Sequence, residues 1–482
     1  MFCGIDIGTT NIKFLLFDED FKVVFNRRIK TPIIRDEVSG DFLSAEGLFD
    51  EIIKSFQAIP ENFKPRIKGI GISSMGETVF PISKDGIVLS DGMMWYNNKV
   101  LEDFEDLLKK ISPEAIFKKT GLWPSWIYSV FKMRNFYRKR PEISSRIYKW
   151  LDVSSFLAFL LTGHIGMDKS LSSRTLLVNI ETGQWDEELL EISKVPREHL
   201  PEIVDCGLSR GRIKEEIARI TGISKTAIVT TAGQDHITAA YAAGVHDESK
   251  VLNSSGTSEA ILWTVGKNTI KRYIDSSPKI FQAGLHCIPE RYYILGGIPT
   301  GNFCIDWLIN KVLKTDYSIF ENFKYKKNSV FFFPYLRGVF DKSDLGGAFF
   351  NLKDHDDQNS IISTVLESLA FEVKSYLDGL KELGLTNYEI MAVGGGTRLK
   401  ESLKIKANVL KVPVKTITVY ESTAFGAALI SAIAAGYMKD WSRDFDSIIK
   451  TIDSTYFYPN QESYFEEKYT EYVELKRRLY NL

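Results

Sequence analysis

Residues 6–13 combine side chains and backbone groups that could hold phosphate oxygens. An aspartate closes an apolar run, a glycine opens a turn, and two threonines and a lysine follow. Glycine permits a tight turn with close backbone approach, and successive N–H groups in such a turn can bind an anion. Asp6 could hold a hydrated Mg²⁺. The candidate phosphate ligands are Gly8, Thr9, Thr10 and Lys13. An ordinary polar hairpin turn has the same composition, and this alternative stays open here.

Residues 254–258 repeat the pattern in the second half of the chain. A run with strand character leads into Ser-Gly-Thr-Ser, and another such run follows. The candidate phosphate ligands are Gly256, Thr257 and Ser258. Two matching strand–turn–strand units, each at the start of one half, indicate an internal duplication into two domains of similar architecture. One phosphate chain held from two sides would account for both turns.

A glycine triplet offers a third candidate nucleotide contact. Gly394, Gly395 and Gly396, with Thr397 behind them, follow a predicted strand and open a predicted helix. Helix N-termini attract phosphate, and glycines admit a flat ligand. The triplet is not a dinucleotide GxGxxG motif, and the chain contains no Walker GxxxxGK(S/T) motif. A purely structural turn is the alternative.

A candidate catalytic carboxylate, Asp235, stands at a strand-to-helix junction after Gly233 and Gln234. A carboxylate within reach of a hydroxyl can accept its proton during phosphoryl transfer. An aspartate at this position is equally a good helix N-cap. The two roles are compatible.

An alternation of strand-like and helix-like segments positions these residues. Short apolar runs bounded by turn residues predict strands, and longer stretches with helical periodicity predict helices. The predicted strands are 2–7, 12–17, 22–29, 67–73, 227–231, 251–254, 259–265 and 390–393, with a hairpin at 79–82 and 88–89. The predicted helices are 43–58, 235–243, 360–383, 399–410 and 464–479, and residues 100–222 are mostly helical. This alternation is typical of the α/β class.

Composition narrows the class of protein. The 482 residues include 61 Lys and Arg against 62 Asp and Glu, a net charge of −1, which gives no electrostatic support for nucleic-acid binding. The four cysteines are scattered without a CxxC pair, so we predict neither a disulfide framework nor a thiolate metal site, and a cytoplasmic location. The chain has no signal-peptide pattern and no apolar run of about 18 residues, so we predict no membrane partner.

In order and spacing, these motifs resemble those of the FGGY family of carbohydrate kinases over nearly the whole chain. The two turns and the glycine triplet are similar to the family's two phosphate motifs and its adenosine motif. Further similar segments are Leu161-Thr162-Gly163, then Asp168, Ser170 and Ser173-Arg174-Thr175, Trp185-Asp186, Gly233-Gln234-Asp235 with Gly244 further on, Gly347-Ala348-Phe349, Leu366-Glu367-Ser368 and the closing-helix segment 422–428.

The resemblance implies both a fold and an activity. The fold is two actin-like (ribonuclease H-like) domains, each a mixed β-sheet flanked by helices, with a central cleft, which here would span residues 1–244 and 245–482. The activity is transfer of the γ-phosphoryl group of ATP, with Mg²⁺, to a hydroxyl of a sugar, sugar acid or polyol. By this resemblance Asp235 is the catalytic base, Asp6 (through water) and Asp235 lie at the metal, and residues 394–397 bind the nucleotide.

The sugar-binding region departs from the family pattern. Many members carry a Gln or an Arg-Glu pair where this chain has Ser73-Ser74-Met75-Gly76-Glu77, and their Trp-x-Asp-x-Arg segment is Trp95-Tyr96-Asn97-Asn98-Lys99 here. The residues predicted to contact the phosphoryl acceptor, that is the sugar or polyol, are Glu77, Met75, Asn97, Gln234 and Asp235. A solvated turn carboxylate is the alternative for Glu77. The identity of the sugar, the hydroxyl phosphorylated and any regulation are not predicted, and a homodimer is left open.

The competing hypothesis is a non-catalytic, actin-like sensor that binds ATP or a sugar and signals by closing. A sensor has no need of a base, so the presence of Asp235 favours the kinase. Release of ADP that depends on an added sugar would separate the two.

Overall fold

A computed structural model of the protein describes residues 1–276, 281–338, 344–418, 421–450, 452–460 and 462–480. The β-strands, β1 to β23 in chain order, are Phe2–Ile7, Asn11–Phe17, Val23–Lys30, Ile33–Ile34, Phe42–Leu43, Gly69–Ser74, Val79–Ile82, Gly92–Met93, Lys149–Asp152, Met167–Asp168, Val178–Asn179, Gln184–Trp185, Ile203–Val204, Ile228–Gln234, Lys250–Ser255, Glu259–Val265, Gln282–Leu285, Tyr292–Ile298, Phe331–Phe333, Ala348–Phe350, Glu389–Val393, Val414–Ile417 and Ser454–Phe457. The α-helices, α1 to α17, are Ala45–Gln57, Leu101–Leu108, Pro113–Thr120, Ser129–Lys139, Pro141–Ser144, Val153–Thr162, Lys169–Ser173, Glu187–Ser193, Glu215–Thr221, Asp235–Ala242, Lys267–Ser276, Gly301–Trp307, Gln358–Asp378, Lys400–Leu410, Ser422–Ala434, Arg443–Ile449 and Tyr464–Tyr480.

The chain forms two compact units. The first contains residues 1–246, 265–294 and 419–451, and the second contains 247–264, 295–418 and 452–482. Two segments from the second half of the chain thus belong to the first unit. The contiguous domain boundary after residue 244 stays a prediction.

The first unit is built on a five-stranded mixed sheet with the order β14-β6-β1-β2-β3. Strand β1 pairs antiparallel with β2, whereas β6 lies parallel to both β1 and β14. The register aligns Ile7 with Ser74 and Ser74 with Gln234, so the three parallel strands end side by side. Residues that directly follow these strands therefore lie along one edge of the sheet.

Both faces of this sheet are covered. Alternate residues of β1 from Cys3 to Ile7 belong to the large apolar core of the unit, as alternation along a strand requires. On the opposite face α15 lies so close that a Cβ on Gly4 would be 1.8 Å from the carbonyl oxygen of Ala424. Glycine in β1 thus lets the helix reach the sheet, and Asp6 occupies the same face of the strand as Gly4.

A seven-stranded sheet has the order β17-β18-β16-β15-β21-β22-β23, and its strands β15, β21, β22 and β23 lie in the second unit. Strands β15 and β16 form an antiparallel hairpin, and β21 lies parallel to both β15 and β22. A hairpin followed by two parallel strands repeats the arrangement of β2, β1, β6 and β14, as the predicted duplication requires.

Several elements differ from the predictions made from sequence. Residues 100–222, predicted to be mostly helical, also contain the five short strands β9 to β13, and the helix predicted at 360–383 ends at Asp378. Strand β14 extends past residue 231 because its pairing with β6 resumes after one extra residue. The hairpin predicted at 79–89 is reduced to a single bridge between Ile82 and Val88, since β7 pairs along its length with β9. Among the described residues, none of the helices has the length and apolar character that crossing a membrane demands.

Candidate active site

Three carboxylates of the first unit lie at the aligned ends of β1, β6 and β14. Asp6 is the last residue but one of β1, Glu77 follows the end of β6 at Ser74, and Asp235 directly follows β14. The charge of Asp235 contributes to the pKa of Asp6, so these two carboxylates are close enough to interact. The sheet register, and not proximity in sequence, brings them together.

Asp6 is buried, with one oxygen in an ion pair and the other without a partner among the residues that the structure describes. Lys13 Nζ lies 3.1 Å from Asp6 Oδ2 and 2.9 Å from Glu421 Oε2. Burial raises the pKa of Asp6 to about 6; Lys13 opposes this shift, and Asp235 and Glu421 add to it. Oδ1 of Asp6 is buried and forms no hydrogen bond with any described residue. Because an unpaired buried carboxylate oxygen is costly, this atom is suited to a cation.

The donor atoms fit Mg²⁺. This ion prefers hard oxygen ligands, and in phosphoryl-transfer sites one or two carboxylates hold it together with phosphates and water. Asp6 Oδ1 and the partly exposed Asp235 are carboxylates of this kind. Within the described ranges no group of three or more His, Cys, Asp or Glu side chains could enclose a metal ion. Phosphates and water would therefore have to complete the ligand set.

Asp235 is the first residue of α10, and Gln234 is the N-cap. The Gln234 side chain accepts a hydrogen bond from His236 N at 3.1 Å, and Asp235 Oδ1 accepts from the same N–H at 2.8 Å. The sequence allowed Asp235 to be the N-cap, but Gln234 is the N-cap because β14 extends further than predicted and ends at Gln234. Gln234, predicted as an acceptor contact, thus uses its side-chain oxygen to cap the helix, and its contact with substrate stays a prediction.

Glu77 is buried, with 7% of its surface exposed, so the alternative of a solvated turn carboxylate is wrong. Arg174 contacts Glu77 Oε1 through Nε at 2.7 Å and also through Nη2. Nη1 of Arg174 donates to Gln282 Oε1 at 2.9 Å, and the guanidinium lies 5.2 Å from the Tyr128 ring centroid. Burial alone would lower the pKa of Arg174, but the Glu77 carboxylate holds that pKa well above its usual value. Glu77 also has a left-handed backbone, with φ of 63°.

The first phosphate turn meets the predicted acceptor residues at Thr9. Trp95 Nε1 donates to Thr9 Oγ1 at 3.0 Å, and the same hydroxyl lies 3.7 Å from Met75 Sδ. The neighbouring Thr10 is exposed. Trp95 and Met75 therefore fix the Thr9 hydroxyl, whereas Thr10 remains accessible.

The Asn97 side chain joins its own turn to the segment at residues 39–41. Its Nδ2 donates to the carbonyl oxygens of Ser39 and Asp41, and its Oδ1 accepts from Lys99 N. All its polar atoms are used in these contacts. The predicted contact between Asn97 and the acceptor has no support in this geometry and stays a prediction.

Lys132 is a buried residue near this site that the sequence analysis missed. Its Nζ donates to the carbonyl oxygens of Trp95 at 3.1 Å, Trp126 at 3.2 Å and Ile127. Burial lowers the pKa of Lys132 to about 7, and the Glu77 carboxylate opposes this shift. The same helix also carries Arg134, Asn135, Arg138 and Lys139, so its sequence gave no signal that Lys132 is buried.

In the second unit, the turn between β15 and β16 is shaped by backbone hydrogen bonds. Gly256 N donates to the carbonyl oxygen of Ser258 at 2.9 Å, and Asn302 N donates to that of Gly256 at 3.0 Å. Thr257 and Ser258 are exposed. The turn thus presents hydroxyls and backbone on a fixed framework.

The glycine triplet packs against this turn in the same unit. Gly394 has φ of 91°, and a Cβ there would lie 2.6 Å from the carbonyl oxygen of Ser255. A Cβ on Gly396 would overlap Ser255 Oγ, whereas one on Gly395 would meet nothing within 4 Å. Thr397 Oγ1 donates to the carbonyl oxygen of Gly394 at 2.8 Å. Two of the three glycines are therefore required by close packing, and the middle one faces open space.

Comparison with known proteins identifies a family. The N-terminal domain of the FGGY family of carbohydrate kinases matches residues 1–242, and the C-terminal domain of that family matches residues 251–435. A xylulose kinase of Staphylococcus xylosus is 22% identical over 459 residues, covering 92% of this chain and 92% of its own. A gluconokinase of Bacillus subtilis (strain 168) is 23% identical over 474 residues, covering 94% of this chain and 90% of its own. The crystal structure of xylulose kinase from Rhodospirillum rubrum has a TM-score of 0.88 at 20% identity, covering 100% of this chain and 99% of that one.

The fold is that of two actin-like domains, each with a mixed sheet flanked by helices. The chain belongs to the FGGY family of carbohydrate kinases. It is a carbohydrate kinase that uses ATP to phosphorylate a hydroxyl, which confirms the predicted class of enzyme over the alternative of a non-catalytic sensor.

Proposed function

We propose that the first unit binds a sugar or polyol at the ends of β1, β6 and β14, and that Asp235 accepts the proton of the hydroxyl that attacks ATP. The observation that supports this most strongly is the register that ends three parallel strands together, with Asp6, Glu77 and Asp235 at one edge. Phosphoryl transfer depends mainly on positioning and electrostatic stabilisation. A rigid sheet edge is well suited to both.

Asp235 is suited to the role of base by its position. Asp235 is the first residue of α10, and its carboxylate accepts a hydrogen bond from His236 N. Because the residue is partly exposed, a bound hydroxyl can reach it. As the acceptor oxygen bonds to the γ-phosphorus, its proton passes to Asp235. The bond from that phosphorus to the bridging oxygen breaks, and ADP leaves.

Glu77 is the proposed hydrogen-bond acceptor for a second substrate hydroxyl. Arg174 contacts it through Oε1, which leaves Oε2 for the sugar. Arg174 is itself fixed by Gln282, so the carboxylate has little freedom to turn away. Met75, beside Thr9, supplies an apolar surface for the carbon side of the substrate.

Both units supply proposed nucleotide contacts. In the first, the turn at residues 8–10 offers the exposed Thr10 hydroxyl and backbone N–H groups other than that of Gly8, which donates to the Asn11 carbonyl oxygen. Lys13 holds Asp6 in place while adding positive charge. In the second unit, residues 256–258 and 394–397 are the proposed nucleotide contacts. Asp6 and Asp235 would hold Mg²⁺, which when bound would offset negative charge on the phosphate oxygens.

The state of the cysteines supports a cytoplasmic location. Cys3, Cys206, Cys287 and Cys304 are all buried and unpaired. Free thiols of this kind persist in a reducing compartment, and we therefore place the enzyme in the cytoplasm.

The experiment that tests the proposal measures ADP release with ATP, Mg²⁺ and a panel of acceptors: xylulose, gluconate, glycerol and further ketoses and polyols. We expect at least one acceptor to raise ADP release well above the rate with water alone. ATP binding without acceptor-dependent turnover would favour a sensor and contradict the proposal. Direct detection of the phosphorylated acceptor distinguishes transfer from hydrolysis of ATP.

A further inference from the structure

The end of β14, just before Asp235, leaves the regular sheet pattern. Thr231 pairs with Ile72 and Gly233 with Ser73, so one residue, Ala232, is extra on β14. Such a bulge turns the strand and re-aims the side chains beyond it. Gly233 has φ of 102°, a conformation that favours glycine. The direction in which Asp235 leaves the strand is therefore set at this bulge.

Three buried hydroxyls replace the ladder hydrogen bonds that the bulge disrupts. Ser73 Oγ donates to the carbonyl oxygen of Gly233 at 2.8 Å, and Ser170 Oγ accepts from Gln234 N at 2.9 Å. Thr238 Oγ1 donates to the carbonyl oxygen of Ala232 at 2.8 Å. The peptide between Gly233 and Gln234 is thus held by a serine on each side.

Ser170 is held more firmly than an isolated hydroxyl. It donates to Asp168 Oδ1 at 2.8 Å, and the Ser170 and Leu171 N–H groups donate to the same oxygen. Cys206 Sγ donates to Asp168 Oδ2 at 3.2 Å. A Cβ on residue 233 would lie 2.8 Å from Ser170 Oγ, so the hydroxyl and the glycine fit each other closely. Asp168 therefore fixes Ser170 Oγ as an acceptor for the Gln234 N–H.

We propose that Ser170, held by Asp168 and acting with Ser73 on the other side of one peptide, is a positioning residue that sets the orientation of the catalytic carboxylate of Asp235. Ser170 acts through the backbone and does not touch the substrate. The inference rests on the proposed role of Asp235. Without the hydroxyl, the buried Gln234 N–H would lose its acceptor, and the peptide could turn to find another. A small misplacement of the base would lower the rate of transfer and leave substrate binding largely unchanged.

The test compares Ser170→Ala with Ser172→Ala, using the acceptor that gives the fastest ADP release in the panel. Ser172 is buried on the same helix α7, but its hydroxyl donates to the Lys169 carbonyl oxygen within that helix. We expect Ser170→Ala to lower kcat by about tenfold to a hundredfold, with KM for acceptor and ATP within about twofold of the parent. Ser172→Ala should keep kcat within about twofold.

A double-mutant cycle separates positioning from general loss of structure. If Ser170 acts only through Asp235, Ser170→Ala should cause no further loss of kcat in an Asp235→Asn background. An equal loss in both backgrounds, a change confined to KM, or an unchanged kcat would overturn the proposal. Full activity of Asp235→Asn alone would instead remove the proposed base itself. If Ser170→Ala does not fold, Ser73→Ala provides the same cycle from the other side of the peptide.

Discussion

The two glycine turns share a backbone plan but differ in their side chains. Each joins two antiparallel strands, and in each the first strand has a parallel neighbour on its other side, β6 in one unit and β21 in the other. Two residues before the glycine, the first turn has Asp6 and the second has Ser254. In the first turn Lys13 forms ion pairs with both Asp6 and Glu421, whereas in the second turn Ser255 packs against Gly394 and Gly396.

This difference indicates how the work is divided between the units. A hairpin with glycine and hydroxyl residues is sufficient to bind phosphate through backbone groups, and both turns keep it. At the first turn, Asp6 and the nearby Asp235 supply carboxylates for a metal ion and for a proton. At the second turn, the neighbouring carboxylate of Glu259 is buried and held in an ion pair by Lys406. The second turn is therefore expected to contribute affinity for the nucleotide, and the first to contribute the chemistry.

The largest effect is expected at the base. Asp235→Asn keeps the size of the side chain and an oxygen to accept from His236 N, but it cannot take a proton. We expect kcat to fall roughly 10²- to 10⁴-fold, with both KM values little changed. Steady-state kinetics with each substrate varied in turn provide the measurement. Near-normal kcat would show that Asp235 only stabilises the N-terminus of α10.

Asp6→Asn, compared with Ser254→Ala, tests the contrast between the turns directly. The loss of the Asp6 charge should weaken Mg²⁺ dependence and lower kcat/KM by about a hundredfold, whereas Ser254→Ala should stay within about twofold. Titration of activity against Mg²⁺ measures this. Equal effects of the two variants would remove the proposed distinction.

Mg²⁺ binding at the first turn should depend on pH, because Asp6 titrates and Ser254 of the second turn does not. Because burial raises the pKa of Asp6 to about 6, Asp6 is charged above this pH and protonated below it. A metal ligand must be deprotonated, so apparent Mg²⁺ affinity should fall as pH drops through about 6. Binding of Mg²⁺–ATP measured between pH 5 and 8 tests this. Asp6→Asn should weaken this dependence, and the part that remains comes from other groups, including the γ-phosphate of ATP. An unchanged dependence in Asp6→Asn would contradict the prediction.

Glu77→Ala should have a smaller effect, directed at the acceptor. The loss of one hydrogen bond to a substrate hydroxyl should lower kcat/KM for the acceptor by about tenfold, or about 1.4 kcal/mol. KM for ATP should change little. Kinetics of Arg174→Lys provide a companion measurement, since lysine keeps the charge but not the paired geometry. An effect confined to ATP would place the acceptor elsewhere.

The smallest effects are expected in the second unit, and they concern stability. Gly394→Ala forces a Cβ towards the carbonyl oxygen of Ser255 at a left-handed φ, so it should destabilise by more than about 1 kcal/mol. Gly395→Ala, which meets nothing within 4 Å, is the matched control. Thermal unfolding of both variants decides this. A similar loss in each would mean that close packing is not what requires Gly394.

Local sequence determined much of this protein. Apolar runs and turn residues located β1, β2, β15, β16 and β21 within a residue or so, since strand periodicity and glycine turns depend on neighbouring residues alone. The same reasoning placed Asp6 and Asp235 at the ends of strands. It could not show that these ends meet, because the register of parallel strands is set by packing across the sheet.

Tertiary structure decided the surroundings of the site. Arg174 binds both Glu77 and Gln282 and so joins segments far apart in the chain. Glu77, which sequence alone left open as a solvated turn carboxylate, is buried there. Asn97 was predicted to contact the substrate, yet its side chain hydrogen-bonds to Ser39, Asp41 and Lys99. Hydrogen bonds between distant segments depend on how helices and strands pack, and periodicity along the sequence carries no record of that packing.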